Sequence, residues 1–141
     1  MIPAANILVF QSNLQEIPHV SDVLDILMRG QGFSEEEILD TQLSVEEAVT
    51  NIILHGYQEK PGEISIKFSI SDKALKIRIE DLAPAFDPLN VPDPDLSADV
   101  ISRKIGSLGV FLMKKVMDEL SYEYNEGKNI LTLVKKKHTK H

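Results

Sequence analysis

Hydrophobic side chains recur along this chain with two different spacings, one helical and one typical of strands. Between residues 17 and 27 they recur every three or four positions, which predicts an amphipathic helix that ends near Gly30 and Gly32. Ser34-Glu35-Glu36-Glu37 is a capping-box pattern, so we expect a second helix to begin there and to run to about His55. A third helix is predicted from the apolar stripe Val110, Met113, Met117 and Leu120.

Strict alternation of apolar and polar residues predicts the strands. A short first strand covers 7–10, and segments 64–70 and 75–79 should form an antiparallel hairpin. Two final strands are expected near 121–126 and 129–136. Because helices are grouped between runs of strands, the predicted fold class is α+β. We expect a two-layer sandwich with the helices on one face of a mixed, mostly antiparallel sheet.

Composition and charge narrow the class of protein. A chain of 141 residues with 43% hydrophobic and 26% charged residues is expected to form one globular domain, 1–141. A net charge of -7 argues against general nucleic-acid binding, and the basic segment 135–141 is predicted to be a solvated strand end. The absence of cysteine excludes thiolate chemistry. No apolar run reaches membrane-spanning length and no signal peptide is visible, so we expect a cytoplasmic protein without a membrane partner.

The second predicted helix carries a polar stripe. Each four-residue step advances only about 40° around a helix, so Glu47, Asn51 and His55 should share one face. A solvated surface would give the same pattern. A second alternative is that Ser44-x-x-Glu47 is itself a capping box that starts a new helix.

Two further segments can support ligand chemistry. Asp81 ends an alternating strand, where its carboxylate could reach a ligand or could form an Asx turn. Gly106-Ser107-Leu108-Gly109 opens the third helix, and free backbone N–H groups at such a start can bind an anion. The proline-rich segment from 82 to about 105 lies between them and is predicted to be a long functional loop. No Gly-x-x-x-x-Gly-Lys-Ser/Thr sequence occurs, which disfavours a P-loop NTPase.

Together these segments resemble the GHKL ATP-binding domains, and most closely their anti-sigma factor and serine-protein kinase branch. The resemblance implies that Glu47 orients or deprotonates the attacking hydroxyl and that Asn51 holds Mg²⁺. Glu46 does not match the motif. His55 fits the pattern of this branch, although it could equally be a helix C-terminal histidine facing the dipole. Asp81 would accept a hydrogen bond from the adenine amino group of ATP.

The loop after Asp81 departs from the family pattern. Alanines, Ala83 and Ala85, stand where the family usually has glycines, and alanine is disfavoured at positive φ by about 1–2 kcal/mol. Pro84 favours an extended Ala83, for which no glycine is needed. We therefore expect adenine binding at reduced tightness, with Phe86 anchoring the loop to the core.

The resemblance assigns the remaining site residues. Gly106, Ser107, Leu108 and Gly109 match the family's phosphate-binding glycine box, beneath a lid formed by about 82–105. Arg103 and Lys104 could reach the γ-phosphate, or could be surface charges. Thr132 resembles a threonine that lies near the adenine aspartate.

The function implied by the resemblance is that of an anti-sigma regulatory factor. Such a protein would sequester a sigma factor, form a possible homodimer and transfer phosphate from ATP to a serine of a STAS-domain anti-anti-sigma protein. A non-enzymatic nucleotide-binding or partner-capturing module is the alternative, favoured by the two alanines. A plain α+β interaction domain, in which the motifs are coincidental, is a third possibility.

Overall fold

Five strands form one antiparallel sheet in the order β1-β2-β3-β5-β4. This computed structural model describes residues 6–90, 92 and 107–138. We predicted a mixed, mostly antiparallel sheet. All four strand pairings in the described part of the chain are antiparallel, and no parallel pair occurs there. The strands are β1 (Asn6–Gln11), β2 (Glu63–Ile70), β3 (Ala74–Asp81), β4 (Glu119–Asn125) and β5 (Lys128–Lys136).

Three helices among the described residues pack on one face of this sheet and confirm the predicted α+β sandwich. They are α1 (Ile17–Gly30), α2 (Glu35–Asn51) and α3 (Ser107–Val116). Alternate strand residues point toward the helices and form the core with the apolar helix stripes. Fully buried members of this core include Leu24, Met28, Ile38, Val45, Ile66, Phe68, Ile77, Ile79, Met113 and Leu133.

The register of β3 and β5 decides which of their residues can reach the helices. Ile79 pairs with Leu131, and both are buried on the helix side. Arg78 pairs with Thr132, so both lie on the opposite face of the sheet because successive strand residues alternate in direction. Asp81 pairs with Asn129 on the helix side, at the end of the two strands.

Helix α2 begins as its sequence predicts and is continuous to Asn51. The Ser34 side chain accepts a hydrogen bond from the Glu37 N–H at 3.1 Å, and the Glu37 carboxylate accepts one from the Ser34 N–H at 2.8 Å. Further along, Ser44 donates its hydroxyl to the Asp40 carbonyl at 2.9 Å inside the unbroken helix. No new helix starts at Ser44, which excludes the alternative explanation of Glu47 as a capping residue.

A single π-helical turn, Ile52–Gly56, follows α2 where the sequence predicts continued α-helix. Tyr57 donates its backbone N–H to the Ile52 carbonyl at 2.8 Å, which is an i to i+5 bond. Gln58 and Glu59 then adopt positive φ angles of 53° and 64° as the chain turns toward β2. Insertions of this kind are frequent at functional sites.

Helix α3 and the strand after it are both shifted toward the N-terminus relative to prediction. The helix ends at Val116, and Leu120, predicted to be helical, lies in β4. The reason is tertiary: the Asp118 N–H donates to the Val134 carbonyl at 2.9 Å, so sheet pairing begins there. Within the described ranges, no helix is long and apolar enough to cross a membrane.

Candidate functional site

A cleft, partly open to solvent, lies between α2, α3 and the loop that follows β3. Its walls are mainly apolar, and a few polar side chains are exposed to it, which is the usual composition of a small-molecule site. Two predicted site residues, Asn51 and Asp81, line the same cleft. The apolar walls include Ile52, Val110, Met113 and Leu131.

Asp81 is the buried acid of this cleft, with 6% of its surface exposed. Its Oδ1 accepts hydrogen bonds from the Ala83 N–H and from Asn129 Nδ2, each at 2.9 Å. The bond to Ala83 is the Asx turn foreseen as an alternative, so the turn and the cleft position coexist. Oδ2 has no hydrogen bond to another described residue and can accept one from a ligand amino group.

Burial raises the pKa of the Asp81 carboxyl, although the hydrogen bonds from Asn129 and Ala83 act in the opposite direction. The carboxylate is therefore desolvated and partly compensated by fixed donors. A group in this state gains more from a ligand N–H donor than an exposed carboxylate would.

Asn129 is a cleft residue that the sequence analysis missed. Only 6% of its surface is exposed, and it stands opposite Asp81 in the β3–β5 register. Thr132, proposed for the place beside the aspartate, is on the other face of the sheet and does not line the cleft. The alternation within β5 was the available signal: Asn129 lies two residues before buried Leu131 and shares its face, whereas Thr132 lies on the other face.

The loop after Asp81 does not need the glycines of the family pattern. Within the described residues the positive φ angles are at other positions, so Ala83 and Ala85 lie in ordinary regions of backbone space. Ala83 is buried against Gly56, where an added Cβ would approach the Ala83 Cβ to 3.2 Å. Ala85 is exposed and does not line the cleft.

Phe86 behaves differently from the sequence-based expectation. We expected its ring to anchor the loop in the core, but 56% of its surface is exposed and the residue lines the cleft. That expectation was wrong. The loop is held instead by Asn129 and Tyr122, both of which accept a hydrogen bond from the Phe86 N–H.

The polar stripe on α2 is divided by the π turn. Asn51 lines the cleft and makes no side-chain hydrogen bond to another described residue. His55 is exposed and does not line the cleft, because the wider turn moves it off the α-helical stripe. Its position in the last helical turn fits the alternative explanation given above.

Glu47 lies one turn before Asn51 and faces the start of α3. A Cβ built on Gly109 would lie 2.5 Å from the Glu47 carboxyl carbon, so the two residues are in direct contact. Glu47 does not line the apolar part of the cleft. It therefore stands at the junction of α2 and α3, beside the first turn of α3.

The remaining predicted residues are only partly described. Ser107 is the first residue of α3, and Leu108 is exposed on it. Gly106, Arg103 and Lys104 lie outside the described residues, as does most of the predicted lid. Their roles remain predictions.

Among the described side chains of the cleft, Asn51 could supply one ligand to a magnesium ion, and the other ligands would have to come from elsewhere. The described residues contain no group of three or more acidic or histidine side chains that could hold a metal. Asn51 presents one neutral oxygen, and Mg²⁺ commonly keeps several waters and substrate phosphates as its other ligands. The arrangement suits an ion that arrives with a nucleotide.

Comparison with known proteins agrees with this geometry. The family described as Histidine kinase-like ATPase domain matches residues 10–135. The chain is 33% identical over 105 residues to the serine-protein kinase RsbW of Listeria monocytogenes serovar 1/2a, covering 71% of this chain and 67% of that protein. It is 34% identical over 104 residues to the serine-protein kinase RsbW of Bacillus thuringiensis, covering 71% of this chain and 65% of that protein.

A solved structure shares the fold. The crystal structure of the RsbU and RsbW domains of Rv1364c from Mycobacterium tuberculosis superposes with a TM-score of 0.64 at 15% identity. The match covers 95% of this chain and 33% of that one, and it supports the fold alone. The chain belongs to the family of histidine kinase-like ATPase domains, in the branch that includes the RsbW serine-protein kinases.

Proposed function

We propose that the cleft binds ATP, with the adenine amino group donating to Asp81 Oδ2 and the phosphates directed toward the start of α3. The observation that carries this proposal is the convergence of Asn51 and Asp81 on one cleft whose wall is completed by α3. Asp81 supplies the base acceptor, the apolar wall accommodates the purine ring, and Asn51 lies toward the phosphate end.

The reaction proposed is transfer of the γ-phosphoryl group to a serine hydroxyl. The serine oxygen forms a bond to the γ-phosphorus, the bond to the ADP oxygen breaks, and the hydroxyl proton passes to the Glu47 carboxylate. Glu47 suits this role because it stands beside Gly109 at the first turn of α3. Mg²⁺, when bound through Asn51, would neutralise developing phosphate charge.

The protein substrate is proposed by analogy with the relatives. Proteins named serine-protein kinase share about a third of their residues with this chain over about two thirds of their length. We assign this chain the same class of activity, with a STAS-domain anti-anti-sigma protein as phosphate acceptor and a sigma factor as the sequestered partner. Homodimer formation belongs to the same proposal.

The non-enzymatic alternative depended on the two alanines. Ala83 and Ala85 occupy backbone conformations open to any residue, and the loop retains its hydrogen bonds. The alanines therefore give no structural reason for loss of nucleotide binding. This supports the kinase over a module that only captures a partner.

The first test is nucleotide binding, measured as a thermal shift with ATP or GTP in the presence and absence of Mg²⁺. We expect a Mg²⁺-dependent shift with ATP and a smaller one with GTP. The second test is transfer of label from [γ-³²P]ATP to serine in a panel of purified STAS-domain proteins.

Variants separate binding from transfer. Glu47→Gln should retain ATP binding and lose transfer, whereas the neighbouring Glu46→Gln should retain both because Glu46 is about 100° around the helix. Full transfer by Glu47→Gln would refute the catalytic assignment. ATP binding without transfer to any STAS-domain protein would favour the non-enzymatic alternative.

A further inference from the structure

Of the buried side chains that the structure describes at the cleft, Asn129 makes the most hydrogen bonds, and the sequence motifs do not include it. Its Nδ2 donates to Asp81 Oδ1 and to the Ala83 carbonyl, both at 2.9 Å, and approaches the Pro84 carbonyl at 3.2 Å. Its Oδ1 accepts the Phe86 N–H at 3.0 Å and the Tyr122 hydroxyl. One carboxamide thus joins β5 to the acid and to most of the following loop.

The two ends of the Asn129 side chain have different roles. The amino end donates to the Ala83 and Pro84 carbonyls and gives Asp81 Oδ1 a second donor beside the Ala83 N–H. The carbonyl end receives the loop backbone at Phe86 and, from β4, the hydroxyl of Tyr122. A carboxamide suits both roles because it is uncharged, donates from its NH₂ group and accepts at its oxygen.

The consequence for Asp81 is geometric. Because Asn129 and the Ala83 N–H both bind Oδ1, the rotation of the carboxylate is fixed and Oδ2 is left for the ligand. The loop that would cover the base is held in place without the glycines that the family pattern places there. Preorganisation of this kind favours binding by reducing the entropy lost when the ligand arrives.

We infer that Asn129 is the positioning residue for base recognition: its carboxamide orients Asp81 and holds the 82–86 loop against the cleft. This inference rests on the proposed ATP site and deepens it. It predicts that preference for adenine depends on Asn129 as well as on the acid itself.

The test uses two variants of the full chain. Asn129→Ala removes donor and acceptor, whereas the nearly isosteric Asn129→Asp keeps the acceptor toward Phe86 and replaces the NH₂ donor with a carboxyl oxygen that repels Asp81 Oδ1. Both should weaken ATP binding at least tenfold and reduce the preference for ATP over GTP. Asn125→Ala is the matched control, because Asn125 lies exposed on the same β4–β5 hairpin and should bind ATP as the unaltered protein does.

Hydrogen exchange without nucleotide provides an independent measurement. The Phe86 amide should exchange at least tenfold faster in Asn129→Ala, and should stay protected in Asn129→Asp because the acceptor oxygen remains. If Asn129→Ala does not fold, Asn129→Asp and Tyr122→Phe replace it. Tyr122→Phe removes one donor to Asn129 and should weaken ATP binding several-fold.

The outcomes distinguish this inference from the proposed function. If the unaltered protein binds ATP and the Asn129 variants bind it equally well, with the same preference for ATP over GTP, the inference alone is overturned. Unaltered protein that binds no ATP would overturn the proposed function, and the base-positioning role with it. Changed exchange at Phe86 together with lost adenine preference supports the inference.

Discussion

Glu47 and Gly109 are in contact across the α2–α3 junction, and a side chain at position 109 would displace the Glu47 carboxylate. A Cβ at Gly109 would lie 2.5 Å from the Glu47 carboxyl carbon and 3.0 Å from its Cγ. Glycine here leaves the Glu47 carboxylate in place by close approach alone, since φ at this position is not positive, whereas a larger residue would need that flexible side chain to move. The contact couples the proposed base to the first turn of the helix that borders the cleft.

Replacing Gly109 with alanine should displace the Glu47 side chain. We expect phosphotransfer to fall at least tenfold, because a shift of about 1 Å in a catalytic group has large effects. Stability should fall by about 1–3 kcal/mol from overpacking if α3 has to move. Transfer of labelled phosphate and chemical denaturation measure the two effects.

Gly30→Ala is the control for this substitution. No atom lies within 4 Å of a Cβ built on Gly30, and the residue is at the C-terminal end of α1. Its stability should change by less than about 1 kcal/mol and its transfer rate should be unaltered. Full activity in Gly109→Ala would show that the position of Glu47 is not limiting.

Asp81→Asn should reverse the hydrogen-bond polarity of the base site while keeping its shape. The asparagine Oδ1 can accept from Ala83 and Asn129, which places an NH₂ group where Oδ2 now stands. Loss of a charge-assisted hydrogen bond is worth about 1.5–3 kcal/mol, so ATP affinity should fall about 10- to 100-fold. Binding of ITP, whose base has a carbonyl in place of the amino group, should fall less or rise.

Titration calorimetry with both nucleotides measures this change in preference. Asp72→Asn is the matched control, because Asp72 is exposed at the β2–β3 turn. Equal losses of affinity for ATP and for ITP would show that Asp81 does not recognise the amino group.

The raised pKa of Asp81 makes a prediction about pH. ATP affinity should be constant near pH 7 and fall as the pH drops through the raised pKa, where the carboxylate becomes protonated. Tyr57 and Tyr122 interact with Asp81 electrostatically, but burial raises the pKa of both phenols, so they stay neutral in this range. A flat profile in Asp81→Asn would assign the titration to Asp81.

Stability has the opposite pH dependence. The folded protein holds the Asp81 proton more tightly than the unfolded chain, whose carboxyl titrates near its ordinary value of 3.8. The contribution of this group to the free energy of unfolding therefore declines as the pH rises from about 3.8 through the raised pKa. The stability of Asp81→Asn relative to the unaltered protein should increase over this window, as measured by denaturant titration at several pH values.

Tyr57→Phe should loosen the start of the same loop. The Tyr57 hydroxyl accepts the Leu82 N–H at 2.7 Å and donates to the Glu63 carbonyl at 2.6 Å, which ties the π turn to β2 and to the residue after Asp81. We expect a loss of about 0.5–1.5 kcal/mol for each hydrogen bond, with weaker ATP binding. Tyr124→Phe, at an exposed position on β4, should change neither stability nor binding.

The elements with strong local signals were predictable from the sequence. The capping box at Ser34 and the alternation in β2 and β3 appear where predicted. Asn51 and Asp81 were identified as residues of one site from spacing and resemblance, and they line one cleft. Local periodicity is sufficient for such features, because each is determined by its own neighbours in the chain.

Other features depend on contacts between distant segments. The π turn that displaces His55, the early start of β4 and the pairing of Asp81 with Asn129 each depend on such contacts. Thr132 was expected near Asp81 from resemblance alone, but it pairs with Arg78 on the opposite face, because the pairing of two strands determines which residue stands beside Asp81. The residue types in the chain determined the two-layer fold and the chemistry available to it. Only the tertiary structure decided which side-chain amide forms a hydrogen bond with Asp81, because that pairing depends on how β3 and β5 align.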